Sequence, residues 1–434
     1  MDYIADLHVH SSFSRATSTE CSPAGLFAWA RIKGIQVVGS GDFTHPGWLQ
    51  RLKEDLEPAE NGFFRLRNEN VPSPLQKATE KPVCFTLTAE ISCIYKKHGA
   101  VRKVHNLVYV PDFASVERIN ARLAKIGNIL SDGRPILGLD SRDLLEIVLE
   151  EAPEGFLVPA HIWTPWFSLF GSKSGFNRIE ECFGDLTHHV FALETGLSSD
   201  PDMNRLISAL DRFALISNSD CHSPSRLGRE ANLFSTGFDY FSLREALRSN
   251  SRDVFRGTIE FFPEEGKYHL DGHRTCGVKF APEETRKAER LCPVCKKPLT
   301  VGVLHRVMEL ADRQEPLYSA SAPIFHSLIP LPEVLGGILG VGPASKAVKK
   351  VYGLIIDHFG SEFGVLLHAS AEEIREFSPL LAEAIRRMRE GQVIRHGGYD
   401  GEFGTIRLFE DLELRQLRNS LGPIPGEKPS RSTK

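Results

Sequence analysis

The chain opens with Asp6-Leu7-His8-Val9-His10, a carboxylate and two imidazoles at alternate positions. In an extended strand such positions share one face, leaving Leu7 and Val9 to a core. The same grammar returns in Asp220-Cys221-His222. Between them, Asp42 and His45 follow one apolar run, Glu90 ends a second, His105 opens a third and His161 ends a fourth. A single histidine of this kind reads as an ordinary core residue. Six His, two Asp and one Glu at the ends of separate strands do not, because gathering them is costly unless a cation neutralises them. Mixed imidazole and carboxylate donors suit zinc, manganese, magnesium or iron rather than calcium. Adjacent ions roughly 3.5–4 Å apart activate water and clamp a phosphoryl oxygen, so the expected chemistry is phosphoester hydrolysis. Ser172, Ser174 and Ser219 have no companion base, which argues against a serine nucleophile.

A second constellation is His273-Arg274-Thr275-Cys276, fifteen residues, then Cys292-Pro293-Val294-Cys295. Paired ligands across tight turns follow zinc-ribbon spacing, and four ligands leave no open position, so one structural zinc is expected. His269, Asp271 and His305 compete with His273 for the fourth place. The remaining cysteines, Cys21, Cys84, Cys93, Cys182 and Cys221, are scattered and give no disulfide framework. Further on, Leu339-Gly340-Val341-Gly342 precedes Lys346 between two helical stretches. It resembles a helix-hairpin-helix, whose backbone N–H groups face a DNA phosphate. Residues 363–376 and 378–391 read as a degenerate second copy. Trp163 and Trp166 directly follow His161, with Lys173 and Arg178 in the same loop. They suit stacking on a base and holding phosphates, or simply packing between barrel and helix. No phosphate-binding Gly-x-x-x-x-Gly-Lys loop exists, so ATP-driven unwinding is not expected.

These groups need elements to position them. At 434 residues, two or three domains are expected. The composition, 41% hydrophobic and 25% charged with net charge −4, carries no global basic excess. That does not exclude nucleic acid, since a metal pocket concentrates acids while bases cluster elsewhere. No apolar run approaches the roughly 20 residues of a membrane span, and the N-terminus lacks signal-peptide features, so the expectation is a cytoplasmic protein. Seven strands are expected at 3–10, 35–41, 83–91, 104–110, 155–161, 190–194 and 213–218, several separated by helix-length stretches. That alternation predicts an α/β barrel with its site at one rim. The expected divisions are a barrel over 1–245, a zinc-binding segment over 255–305, a helical domain over 306–425 and a disordered tail over 426–434.

The barrel constellation resembles the polymerase-and-histidinol-phosphatase (PHP) superfamily. His8, His10, Glu90, His105, His161, Asp220 and His222 match its ligand motifs. One departure is that Asp42 and His45 are three positions apart where the family has Asp directly before His, so either completes the set. The resemblance implies a distorted seven-stranded barrel holding two or three divalent metals. Over nearly the whole chain the sequence is similar to the endonuclease Q family, through Gly272-His273-Arg274, Cys292-Pro293-Val294-Cys295 and Gly398-Tyr399-Asp400-Gly401-Glu402-Phe403-Gly404. This resemblance implies a DNA-repair endonuclease that nicks 5′ to uracil, hypoxanthine, xanthine or an abasic site. Asp220 and Glu90 are the expected catalytic carboxylates, joined by Glu194, which ends its own strand. Glu194 suits orienting a ligand or the substrate, or else reads as a solvated strand-end acid. The resemblance gives DNA contact to the zinc and helical parts. A monomer is expected, and residues 416–421 lack the aromatic pair of a sliding-clamp peptide. The alternatives are a phosphomonoesterase resembling histidinol phosphatase, or a non-catalytic DNA-binding adaptor.

Overall fold

The computed structural model describes residues 1–59, 61–72, 75 and 81–427. Ten strands organise it: β1 Asp2–Asp6, β2 Val37–Gly39, β3 Cys84–Lys97, β4 Ala100–Val110, β5 Phe156–Pro159, β6 Ala192–Glu194, β7 Ala214–Ile216, β8 Ala231–Ser235, β9 Phe255–Glu260 and β10 Ile324–Ser327. They pair in the order β10-β9-β8-β1-β2-β3-β4-β5, with β1, β2 and β3 parallel and β3, β4 and β5 antiparallel. β6 and β7 form a separate parallel pair. All seven expected strands are present, wrapped as the distorted barrel of an α/β fold.

The seam between β7 and the main sheet is closed by side chains rather than by a ladder. Asn218 Oδ1 accepts from Leu7 N at 2.8 Å and from Asn232 Nδ2 at 2.8 Å, and Asn232 Oδ1 accepts from Ser217 N at 3.1 Å. Buried amides can do this because each carries both donor and acceptor, so the backbone N–H groups of Leu7 and Ser217 find partners at the seam. Beside it, the carboxyls of Glu230 and Glu260 are both fully buried, and Glu260 accepts from Thr195 and Ser217 at 3.1 Å.

The sheet does not stop near residue 245. β9 pairs antiparallel with β8, and β10 pairs parallel with β9. The segment 306–425, read from sequence as helical, therefore supplies a strand to the barrel's own sheet. Ile324 and Phe325 follow Pro323, which ends any helix before them. A hairpin of Ile394–His396 with Thr405–Arg407 also interrupts the helices.

The remaining helices pack on the barrel through an ion pair. Lys33, the last residue of the helix Pro23–Lys33, donates to Glu362 at 2.6 Å, and both side chains are 4% exposed. Glu362 is completed by the Tyr352 hydroxyl at 2.7 Å and Leu331 N at 3.0 Å. Among the described residues no helix is long and apolar enough to cross a membrane. Of the tail, residues 428–434 lie outside the described residues.

Candidate metal centre

β1 ends at Asp6, so His8 and His10 stand on the segment just beyond it, held by a bridge between Val9 and Cys221. Glu90 lies within β3 and His105 within β4, while His161 follows β5 and Asp220 follows β7. Their donor atoms meet in two groups, His8, His10, Glu90 and Asp220, and Glu90, His105 and His161, each within 4.8 Å. Glu90 belongs to both. Its Oε1 lies 2.6 Å from His105 Nδ1 and 3.1 Å from His161 Nε2. Its Oε2 lies 3.2 Å from His10 Nε2 and 3.6 Å from His8 Nε2. Asp220 Oδ1 faces the same two histidines at 3.1 and 3.6 Å.

His8 Nε2, His10 Nε2 and Asp220 Oδ1 are buried without a well-formed hydrogen bond. Buried polar atoms left so are rare and costly, and three converging on one point fit a divalent cation. The electrostatics agree. Burial pulls the His8 imidazole toward neutrality, but Glu194, Asp220 and Glu90 outweigh it and hold its pKa well above the ordinary value. His10 is likewise held up against burial, chiefly by Asp42. Burial dominates at His105 and brings it down to about 4. Glu90 and Asp220 stay ionised despite burial, through His105 and Arg134 for the first and the two N-terminal histidines for the second. The buried carboxylates thus draw protons onto the imidazoles against the cost of burial, which is negative charge that a bound cation could answer instead.

The other ring nitrogens of His8 and His10 are taken by carboxylates that orient them. His8 Nδ1 is 3.1 and 3.2 Å from the two Glu194 oxygens, and His10 Nδ1 is 3.0 Å from Asp42 Oδ1. Asp42 is fully buried and accepts from Ser11 N, Ser11 Oγ and Ser14 Oγ at 2.6–2.8 Å. Glu194 also accepts from Asn218 and from His161 N at 2.8 Å. Both therefore fix histidines of the donor groups, and neither joins a group itself. His45, the alternative to Asp42, is placed elsewhere. It caps the helix Pro46–Asp55, its Nδ1 accepting from Gly47 N at 3.2 Å while Nε2 meets Leu130 O at 2.9 Å. With both nitrogens committed to backbone, it has none for a metal. His222 lies beside His10, ring centroids 4.5 Å apart, with Nδ1 2.9 Å from Asp220 O, leaving Nε2.

Asp6 does not share the ligand face that strand alternation gave it. Its carboxylate accepts from Ser219 N at 3.1 Å and Gly228 N at 2.9 Å, fixing the loop that delivers Asp220. Asp42, His161 and Asp220 all have left-handed backbone, φ 49°, 28° and 46°. Such conformations are unfavourable without glycine and survive where surrounding contacts over-determine them. Gly196 lets His161 sit there, since a Cβ on it would lie 2.5 Å from the His161 Cβ.

The loop after His161 divides the two tryptophans. Trp163 is fully buried, donating to Asn204 Oδ1 at 2.8 Å, so it packs the core and is removed from any DNA surface. Trp166 is 38% exposed and stands edge-on to Tyr268, centroids 5.5 Å apart. Lys173 and Arg178 are exposed. Arg134, which the sequence reading passed over, donates Nη1 to Glu90 Oε2 at 3.0 Å. It lies in a loop with no periodic or motif signal.

His273, Cys276, Cys292 and Cys295 form a second four-donor group. Cys295 Sγ is 3.6 Å from His273 Nδ1. Desolvation works against the Cys292 thiolate, yet the backbone N–H groups of Cys295 and Val294 bring its pKa below the ordinary thiol value. His305 is instead buried against Asp271, 2.5 Å away, and those two hold the base of the knuckle through Gly302 N. In the helical part, Gly340 takes φ 67° to end the helix Leu331–Leu339, and the exposed turn through Gly342 leads to Ser345, the cap of the helix Lys346–Phe359.

Residues 330–392 match the family described as the MJ0043 C-terminal domain. Uncharacterized protein MJ0043 of Methanocaldococcus jannaschii is 34% identical over 254 residues, 56% of this chain. The match spans only 31% of that longer protein. The crystal structure of the lesion-specific endonuclease PfuEndoQ from Pyrococcus furiosus superposes with TM-score 0.82 at 31% identity, covering 98% of this chain and all of that one. A structure of endonuclease Q with a 27-mer duplex carrying an abasic lesion at its active site gives TM-score 0.81 at 31% identity, over 95% and 98% of the two chains.

Proposed function

This chain belongs to the endonuclease Q family, and on that premise we propose that it is a metal-dependent DNA-repair endonuclease. Its substrates are duplexes carrying an abasic site or a deaminated base (uracil, hypoxanthine or xanthine), which it nicks on the 5′ side of the lesion. The observation that carries the reading is the single carboxylate of Glu90, one oxygen turned to each of two donor groups. Two divalent ions (zinc, manganese, magnesium or iron) fit those groups, with His222 able to serve a third. When bound, such ions lower the pKa of water and offset charge on a phosphoryl group.

The protein's own residues do the rest. Glu90, Asp220 and the histidines His8, His10, His105 and His161 present the donors. Asp42 and Glu194 hold His10 and His8 in the required ring orientation and, being buried, do not reach solvent. Trp166, at the rim, supplies an aromatic face for the base stack around the lesion, where extruding a base costs a few kcal/mol. Lys173, Arg178 and Lys346, with the backbone of the Gly340–Gly342 turn, meet phosphates. The knuckle zinc is structural, and the zinc and helical parts hold the duplex that the barrel cuts.

The test is incubation with manganese and end-labelled duplexes bearing one uracil, hypoxanthine or abasic site. Nicking 5′ to the lesion is expected, with Asp220→Asn reducing it at least 100-fold, on the order of losing a main electrostatic contributor. Hydrolysis of nitrophenyl phosphate with intact duplexes would reject the endonuclease and favour a phosphomonoesterase.

A further inference from the structure

Three side chains around the metal centre are about a third exposed: Arg134 at 31%, Asp220 at 30% and His222 at 33%. His8, His10 and Glu90 lie beneath them at 1% or less. Arg134 therefore stands at the mouth of the pocket with its guanidinium over the floor. It is placed there rigidly. Asp132 Oδ1 accepts from Arg134 N at 3.1 Å, Gly133 N donates to Phe13 O at 3.0 Å and Thr44 Oγ1 donates to Gly133 O at 3.1 Å. Just after it, Pro135 O accepts from Ser92 N at 3.0 Å. A Cβ on Gly133 would lie 2.4 Å from Asp42 Oδ2, so the loop lies directly against the carboxylate that orients His10.

The Arg134–Glu90 ion pair explains little as a structural contact alone. Glu90 already turns both oxygens toward histidine donor atoms, and the cations those groups fit would satisfy it. A guanidinium 3.0 Å from such a carboxylate would then face added positive charge at close range. Arginine has five donors in a planar fork, and among the described residues the Nη1 contact to Glu90 is the one hydrogen bond that fork makes. Nε and Nη2 are not among the buried polar atoms left without a partner, so both keep access to solvent. What restores balance is an arriving anion, and the fork matches two oxygens of one phosphate.

We propose that Arg134 is a catalytic residue that holds a nonbridging oxygen of the scissile phosphodiester, with Glu90 as its partner only until the cations and substrate arrive. Arg15 extends the path outward, 3.2 Å from Asp132 and 82% exposed, where the next phosphate along the strand would pass. This rests on the endonuclease reading and assigns the group that recognises the bond to be cut.

The experiment compares two duplexes with a tetrahydrofuran abasic site, one normal and one with a neutral methylphosphonate at the cut position. Binding is followed by stopped-flow fluorescence anisotropy in manganese, read before strand cleavage, for wild type, Arg134→Ala and Arg134→Lys, with metal content and melting temperature measured on each protein. Wild type is expected to favour the normal duplex, and Arg134→Ala to lose about tenfold of that preference with metal content and melting temperature unchanged. Arg134→Lys should keep part of it. A preference undiminished in Arg134→Ala overturns the proposal. So does loss of bound metal in that variant, which would make Arg134 a support for Glu90. Wild type failing to nick the normal duplex in manganese would sink the endonuclease reading instead, and is scored separately.

Discussion

At the scale of single residues, one question left open by the spacing was which of Asp42 and His45 belongs to the centre. The geometry answers with a different role for the first and none for the second, because a carboxylate on His10 Nδ1 fixes the ring from behind. Removing such a partner costs about 10–100-fold in metal affinity or activity. Asp42→Ala is expected to fall in that range, whereas His45→Ala should nick at close to the wild-type rate. Metal content by mass spectrometry alongside a nicking assay checks both, and equal losses would refute the distinction. The residues of the two donor groups were legible because histidine and carboxylate at strand ends are chemically unusual. The carboxylates that orient them, Asp42 and Glu194, stood out as acids beside strand ends. The groups that hold those carboxylates did not, since Ser11, Ser14 and Asn218 are common residues whose work depends on a fold that no local pattern encodes.

At the scale of elements, the loop after His161 shows how far periodicity reaches. Trp163-Thr164-Pro165-Trp166 offers two equal aromatics by sequence, and the fold buries one and leaves the other at the rim. Trp163→Ala should therefore act on stability, by about 3–5 kcal/mol as for other buried tryptophans. Trp166→Ala should leave the melting temperature near wild type and lower nicking of lesion-bearing duplex severalfold with metal retained. Denaturant curves and nicking rates on the pair separate the two roles. The knuckle was legible for a related reason, since two short ligand pairs need only their own turns. The competition of His269, Asp271 and His305 with His273 could be resolved only in three dimensions, where His305 is seen to be Asp271's partner.

At the scale of the molecule, the seven barrel strands were readable from alternation, but the sheet's continuation through β9 and β10 was not. Those strands come after the texture changes, and their pairing is non-local. β9 also brings Glu260 into the core beside Glu230. Burial, aided by Asp200, pushes the Glu260 pKa from 4.5 up to about 8. A carboxyl raised on folding contributes stability that is full below the unfolded value near 4.5 and is lost as pH rises through about 8. Glu260→Gln, neutral at every pH, should flatten that decline, so its urea midpoint should exceed wild type by more at pH 8.5 than at pH 5. An equal offset at both would show that the group does not titrate in this window.

The parallel pairing of β10 with β9 has a bearing on biosynthesis. While the chain emerges from the ribosome, the edge of β9 stays open to strand addition until residue 327 has cleared the exit tunnel, well after every barrel ligand has been translated. A nascent polypeptide halted earlier presents a sticky border to its neighbours. Expression of the isolated N-terminal 300 residues is then a recipe for insoluble material, however complete its cation ligands.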